Sequence, residues 1–136
     1  MNNLNPNNDP VQLLAATLFS ETKDINDSRK VASVIVNRAK DGRFGADIPS
    51  VILQPQQFSG VGGDEFNKAM SGKLTAEEES IYKQQIAIAS AAWRGNLPDD
   101  AKGAKFYFNP ALANPSWAKK MVKVDSNKFH TYYKEK

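Results

Sequence analysis

The chain has 136 residues, a formal charge of +3 and no cysteine. That length suits one domain with a core of its own, and the missing thiols rule out disulfides, thiolate metal sites and cysteine nucleophiles together. Basic residues gather after position 100, where Lys102, Lys105, Lys119, Lys120, Lys123, Lys128, Lys134 and Lys136 stand against Asp125 and Glu135; such a flank draws anionic polymers by long-range attraction, and it serves equally as a solubilising surface.

Residues 1–9 read as a polar N-terminal segment and 10–136 as the folded domain. The opening residues carry no basic stretch followed by an apolar run, so neither a signal peptide nor stable membrane insertion is expected. Asp9 and Pro10 suit the cap and first position of a helix, and Val11, Leu14, Ala15 and Leu18 recur with helical period. Glu21 falls three residues beyond Leu18 on the same stripe, which turns it toward the body of the protein. A second helix, capped by Asn26 or Asp27, runs to about Lys40 with Val31, Val34, Ile35 and Arg38 on one face and Gly42 as its stop.

From Arg43 to Gly63, prolines at 49 and 55 and glycines at 60, 62 and 63 break the periodicity. A small hairpin or an irregular cleft wall is expected there, and Ser50 to Leu53 suits a short strand or a single helical turn equally. Asp64 caps a short helix to about Met70, ended by Gly72. Thr75 and Glu78 have the spacing of a capping box, and an alanine-rich face follows through Ile81, Ile88, Ala91 and Ala92 to Trp93 before Gly95. Its small residues permit close packing, which places this helix at the centre of the domain. Lys105 to Asn109 reads as a strand or extended cleft segment. Trp117 to Met121 reads as a last short helix, followed by Val122, Val124 and the cluster Phe129-His130-Thr131-Tyr132-Tyr133. The fold class expected is α+β, predominantly α-helical, with a small β hairpin or irregular extended region.

His130 is the only histidine, and no HExxH or calcium-loop spacing, G-x-S-x-G elbow, P-loop or dinucleotide fingerprint occurs. Neither a metal nor a cofactor is expected, and aromatics not interleaved with arginines argue against nucleic acid. Carboxylate chemistry survives these exclusions. Glu21, in Leu18-Phe19-Ser20-Glu21-Thr22, sits near a helix end, where it is either an ordinary solvated glutamate or an acid held against the scaffold and open to a cleft. In the second case desolvation raises its pKa into the range of a proton donor. Glycosidic cleavage needs such a donor beside the leaving oxygen, with aromatic platforms for sugar rings. Asp24, Asp27 and Asp47 are further acids able to assist a water.

Several segments together resemble the spore-cortex-lytic enzyme SleB and cell wall hydrolase family, lysozyme-like domains that cleave peptidoglycan and are also found in phages. They are Leu14-Ala15-Ala16 to Glu21, Val31 to Arg38, Val51-Ile52 to Gln57-Phe58-Ser59, Ala91-Ala92 with Gly95, Gly103-Ala104 to Tyr107-Phe108, Pro115-Ser116-Trp117 and His130 to Tyr133. The resemblance implies a lysozyme-like catalytic domain acting on the bond between N-acetylmuramic acid and N-acetylglucosamine, with Glu21 as the catalytic acid and peptidoglycan glycan strands as the partner. It implies a lytic transglycosylase that leaves 1,6-anhydro ends, or else a hydrolytic lysozyme-type glycosidase. It places the activity at the bacterial cell wall or periplasm, virion-associated or phage-delivered. A non-catalytic glycan-binding domain or a structural virion domain stands as the contrasting reading.

Two departures from the family pattern stand out. An acidic, glycine-containing stretch is usual after the glutamate, where this chain has Thr22-Lys23-Asp24-Ile25-Asn26-Asp27. The closing His-x-Phe-Tyr has Tyr132 in place of phenylalanine, a hydroxyl that needs a partner if buried. Substrate binding or positioning of the acid is expected of Gln57, Ser59, Tyr107 and His130. Gln57 holds an acetamido group or the acid, or closes a turn, and Ser59 suits an ordinary turn as well. Tyr107 orients the acid or stacks on glycan, while Phe106 and Phe108 face the other way and pack. Cleft-lining or supporting roles fall to Phe58, Asn37, Arg38 and Tyr132, with Asn37 and Arg38 pairing buried backbone or a carboxylate. Trp93 and Trp117 read as core anchors.

Overall fold

The computed structural model describes residues 9–54, 58 and 60–136. Among these, helices come first: α1 (Pro10–Glu21), α2 (Ile25–Asp41), α3 (Ile48–Ile52), α4 (Asp64–Ser71) and α5 (Ala76–Trp93). The strands follow as β1 (Phe106–Phe108), β2 (Met121–Ser126) and β3 (Thr131–Glu135), with a 3-10 turn at Ser116–Lys120. The result is a predominantly helical α+β fold with a small open sheet.

α1 starts as its sequence dictates: the Asp9 side chain accepts from the Gln12 N–H, and Pro10 takes a first-turn position where its missing N–H costs nothing. Every residue from Leu13 to Phe19 is buried, the mark of a helix enclosed all round rather than along one stripe. Leu13, Leu14, Leu18 and Phe19 each contribute roughly 2 kcal/mol on burial. α2, α3, α4 and α5 all pack on this helix. The centre of the domain is therefore α1, whereas the alanine content of α5 pointed to α5. Alanines signal how closely a helix can approach, not how deeply it lies. α5 buries one stripe, formed by Tyr82, Gln85, Ile88, Ala89 and Ala92, and Trp93 at its end is exposed instead of anchoring the core.

α2 is capped by Asp24, whose side chain accepts from the Asp27 N–H at 2.8 Å. Asn26 and Asp27 thus lie inside the first turn, and Asp27 turns inward and is fully buried. Val31, Val34, Ile35 and Arg38 form the buried stripe, and Gly42 ends the helix in the left-handed region at φ 86°. Among the described residues between 43 and 63 no strand forms; Asp47 caps α3, so Ser50 to Ile52 resolve as helix.

The extended structure lies instead at the C-terminal end, with strand order β1-β3-β2 and both pairings antiparallel. Tyr107 pairs with Tyr132 and Phe106 with Tyr133, so period-two alternation sorts the aromatics onto two faces. On one, Trp117 packs against Phe106, Phe108 and Tyr133 at centroid distances of 5.6–5.7 Å. On the other, Tyr107 stacks on Tyr132 at 5.5 Å. Register slips between Lys123 and Asp125 in β2, a bulge that breaks the alternation by which a strand is read from sequence. The sheet is tied to α2 by Arg38 Nε donating to the Lys105 carbonyl at 2.6 Å and Asn37 Nδ2 to the Ala104 carbonyl at 3.0 Å. Among the described residues no helix is long and apolar enough to cross a membrane.

Both halves of the α5 capping box are made: the Glu78 N–H donates to Thr75 Oγ1 at 3.1 Å and the Thr75 N–H to Glu78 Oε1 at 3.0 Å. Thr75→Ala is expected to lower stability by about 1 kcal/mol, a drop of roughly 3–5 °C in a circular dichroism melt, with Thr75→Ser close to the parent. An unchanged melt for the alanine variant would show that the cap holds nothing.

Candidate active site

α1 ends where a cleft of about 370 Å³ begins. Thr22 takes extended geometry (φ −162°, ψ 148°) while its N–H still reaches the Leu18 carbonyl at 2.9 Å, which makes Glu21 the last helical residue. The next turn is pinned from behind by the buried Gln85, whose amide donates to the Thr22 carbonyl at 2.8 Å and to Ser28 Oγ at 3.1 Å. Ser20 and Glu21 thus stand on a helix terminus fixed on both sides. Arg38 reaches the cleft from α2, Tyr107 and Phe108 from β1, and His130 from the β2–β3 turn. Leu112 and Ala113, in the loop after β1, form an apolar rim, and Gly60 closes the side next to α1.

Tyr107 donates its phenol hydrogen to Glu21 Oε1 at 2.5 Å. Burial, and then the neighbouring Glu21, lift the Tyr107 pKa well above the usual phenol value, so the hydroxyl keeps its proton and remains a donor. Its ring stacks on Tyr132 and meets the edge of His130 at 4.9 Å. Behind these rings sits Asp27. His130 Nδ1 lies 2.6 Å from its Oδ2, while Tyr132 Oη and Asn127 Nδ2 donate to its Oδ1 at 2.6 and 2.9 Å. Burial pushes the Asp27 pKa up, but bonds from His130, Tyr132 and Asn127 outweigh it and hold the group below an ordinary aspartate. It is a buried carboxylate whose donors favour the anionic form.

Glu21 behaves in the opposite way. Burial is the largest influence and raises its pKa; the Tyr107 bond and the charge of His130 pull it down, Asp27 pushes it up, and the balance stays above an ordinary glutamate. Glu21 at the cleft and Asp27 in the layer behind it are two carboxyl groups whose surroundings drive their proton affinities apart.

Tyr107, His130 and Arg38 come to the cleft wall with Glu21. Arg38 also donates to the Lys105 carbonyl and lies against the rings of Phe44, Phe58 and Phe106. Phe58 is buried under it, and Tyr132 lies one layer beneath the cleft on Asp27. Asn37 stands away from the cleft, bonded to the Ala104 carbonyl and at 3.4 Å to Asp99. Gln57 and Ser59 lie outside the described residues. Asp24 and Asp47 serve as helix caps. Sequence reasoning missed Asp27 as the hub and Gly60 as the seal, although the hydroxyl that Tyr132 adds did call for a buried partner. Among the described residues no group of three acidic or histidine side chains is arranged to hold a metal.

Residues 23–133 match the family model described as Cell Wall Hydrolase, a span that opens just past Glu21. The structure is similar to the catalytic domain of the germination-specific lytic transglycosylase SleB from Bacillus anthracis. The TM-score is 0.67 and the identity 22%, over 98% of this chain and 96% of that one. At that identity the likeness is one of fold. No curated protein matches the chain.

Gly60 supplies a direct test of how burial acts on Glu21. A Cβ there would meet Ser20 Oγ at 2.6 Å and Ser20 Cβ at 2.9 Å, and would lie 3.5 Å from Glu21 Oε2. Gly60→Ala therefore forces this turn off α1 and admits water to the carboxyl. Less desolvation means a lower pKa, so the Glu21 carboxyl, followed by carbon-13 NMR, is expected to titrate at lower pH than in the parent protein. An unchanged titration in a folded variant would refute the sealing role.

Proposed function

The chain belongs to the cell wall hydrolase family, and on that premise we propose that it is a lytic transglycosylase that cleaves the MurNAc-GlcNAc bond of peptidoglycan with Glu21 as its single acid and base. The observation that carries this reading is the setting of Glu21: its Oε1 is bonded to Tyr107, and among the described residues lining the cleft no other carboxylate stands beside it. With Oε1 occupied as an acceptor, Oε2 is the oxygen that carries the proton toward substrate. Most glycosidases that use water work with two carboxyl groups flanking the bond. A lone carboxyl that titrates high suits a reaction in which one group gives a proton and then takes one.

The steps balance without water. Protonated Glu21 gives its hydrogen to the bridging oxygen as the bond from muramyl C1 to that oxygen breaks, leaving positive charge at C1 and a carboxylate at Glu21. The muramyl C6 hydroxyl attacks C1, the new C1–O6 bond forms, and its proton passes to Glu21, which regains its starting state. Tyr107 holds the carboxyl in one orientation through both transfers. The apolar Leu112 and Ala113 at the rim suit the carbon-rich faces of sugar rings. The exposed lysines of the C-terminal third, among them Lys119, Lys120 and Lys123, favour approach to an anionic wall.

Two measurements test the proposal. Incubation with purified sacculi is expected to release muropeptides whose anhydro ends are lighter by one water in mass analysis; reducing ends would mean hydrolysis, and binding without release would mean a glycan-binding domain. Glu21→Gln is expected to abolish release, by roughly a thousandfold or more, with an unchanged circular dichroism spectrum. Parent-like release from that variant would remove Glu21 from the chemistry.

A further inference from the structure

Asp27 has no part in the steps above, yet it is a fully buried carboxylate one layer behind the acid. Taking such an ion out of water costs several kcal/mol unless good geometry repays it, and three groups converge on it to do so. Tying β3 to α2 does not require a charge. The Tyr132 hydroxyl and Asn127 amide could meet a neutral partner in that place. What a carboxylate adds concerns His130. A carboxylate only accepts, so the hydrogen between the two groups sits on Nδ1 of the imidazole. Nε2 then belongs to the cleft that His130 lines, where no described residue bonds it. The histidine's backbone is fixed by the same assembly: Asn127 Oδ1 accepts from the N–H groups of Phe129 and His130 at 2.8 and 2.9 Å while its amide grips Asp27. Ring, turn and proton placement all answer to one buried charge.

We propose that Asp27 is a positioning residue that acts through His130, fixing the imidazole so that Nε2 meets a sugar hydroxyl of the bound glycan beside Glu21. The inference rests on the glycan-cleaving reading of the cleft. A hydroxyl is the fitting chemistry because it both donates and accepts, and so pairs with Nε2 whether or not that nitrogen carries a hydrogen. The ring edge also abuts Tyr107, so the same fixed imidazole steadies the phenol that holds Glu21.

The test is a double-mutant cycle on soluble glycan strands, with kcat and KM measured separately for the parent, Asp27→Asn, His130→Gln and the double variant. Each single change is expected to lower kcat by roughly tenfold or more while the fold is retained. The double variant is expected to be no worse than the poorer single one, because both changes remove one function. Losses that multiply, or an Asp27→Asn enzyme within twofold of the parent, would overturn the proposal. Should Asp27→Asn fail to fold, nitrogen-15 NMR of His130 in the Glu21→Gln protein decides. Addition of soluble glycan strands is expected to shift the Nε2 resonance while Nδ1 keeps its exchange-protected hydrogen, and an Nε2 signal unmoved at saturation would overturn it. A parent protein that releases nothing from sacculi defeats the glycan-cleaving reading itself, whereas an active parent with multiplying losses defeats this inference alone.

Discussion

Helix α1 ends on Glu21, strand β1 carries Tyr107 at its centre, and the phenol-to-carboxyl bond between them joins the helical part of the molecule to the sheet at the cleft. Neither partner is free to adjust. Glu21 is the last residue of a helix buried from Leu13 to Phe19, and Tyr107 is held by pairing with Tyr132 in β3 and by its ring contacts. A short bond between two such constrained elements is preorganised: its geometry is settled by the core before any ligand arrives.

The electrostatics follow from that joint. At the cleft surface, burial against Gly60 and the aromatic layer favours the neutral form of Glu21. One layer deeper, convergent donors favour the ionised form of Asp27. The two groups are sorted by hydrogen-bond supply rather than by depth, since the deeper of them is the one that stays charged. Tyr132 shows how finely this depends on the local sequence. Its buried hydroxyl donates to Asp27 and so has the partner that burial demands.

Local signals were legible where one short-range rule decides. Asp9 with Pro10, Gly42 and the pair Thr75 and Glu78 mark their helix ends by side-chain chemistry alone. The buried stripe of α2 follows from period. Period and caps carried the predominantly helical fold class, and segments in the order of a known family carried the resemblance that the matched span of 23–133 bears out. Depth was not legible: Ala89 and Ala92 of α5 look as central as Ala15 and Ala16 of α1, and only the three-dimensional arrangement shows which helix is enclosed. β2 was hidden by its bulge near Val124. The Asp27 hub joins residues a hundred positions apart in the chain, a distance over which neither periodicity nor spacing carries information. Gly60 reads as a turn glycine, while its requirement comes from the Ser20 side chain it touches.

The enclosure of α1 couples the cleft to the core. Amides in its central turns, buried from Leu13 to Phe19, are expected to exchange with solvent among the slowest of the domain. Glu21 closes that same helix at the cleft wall. Heating is therefore expected to loosen the α1 wall of the cleft together with the core rather than ahead of it.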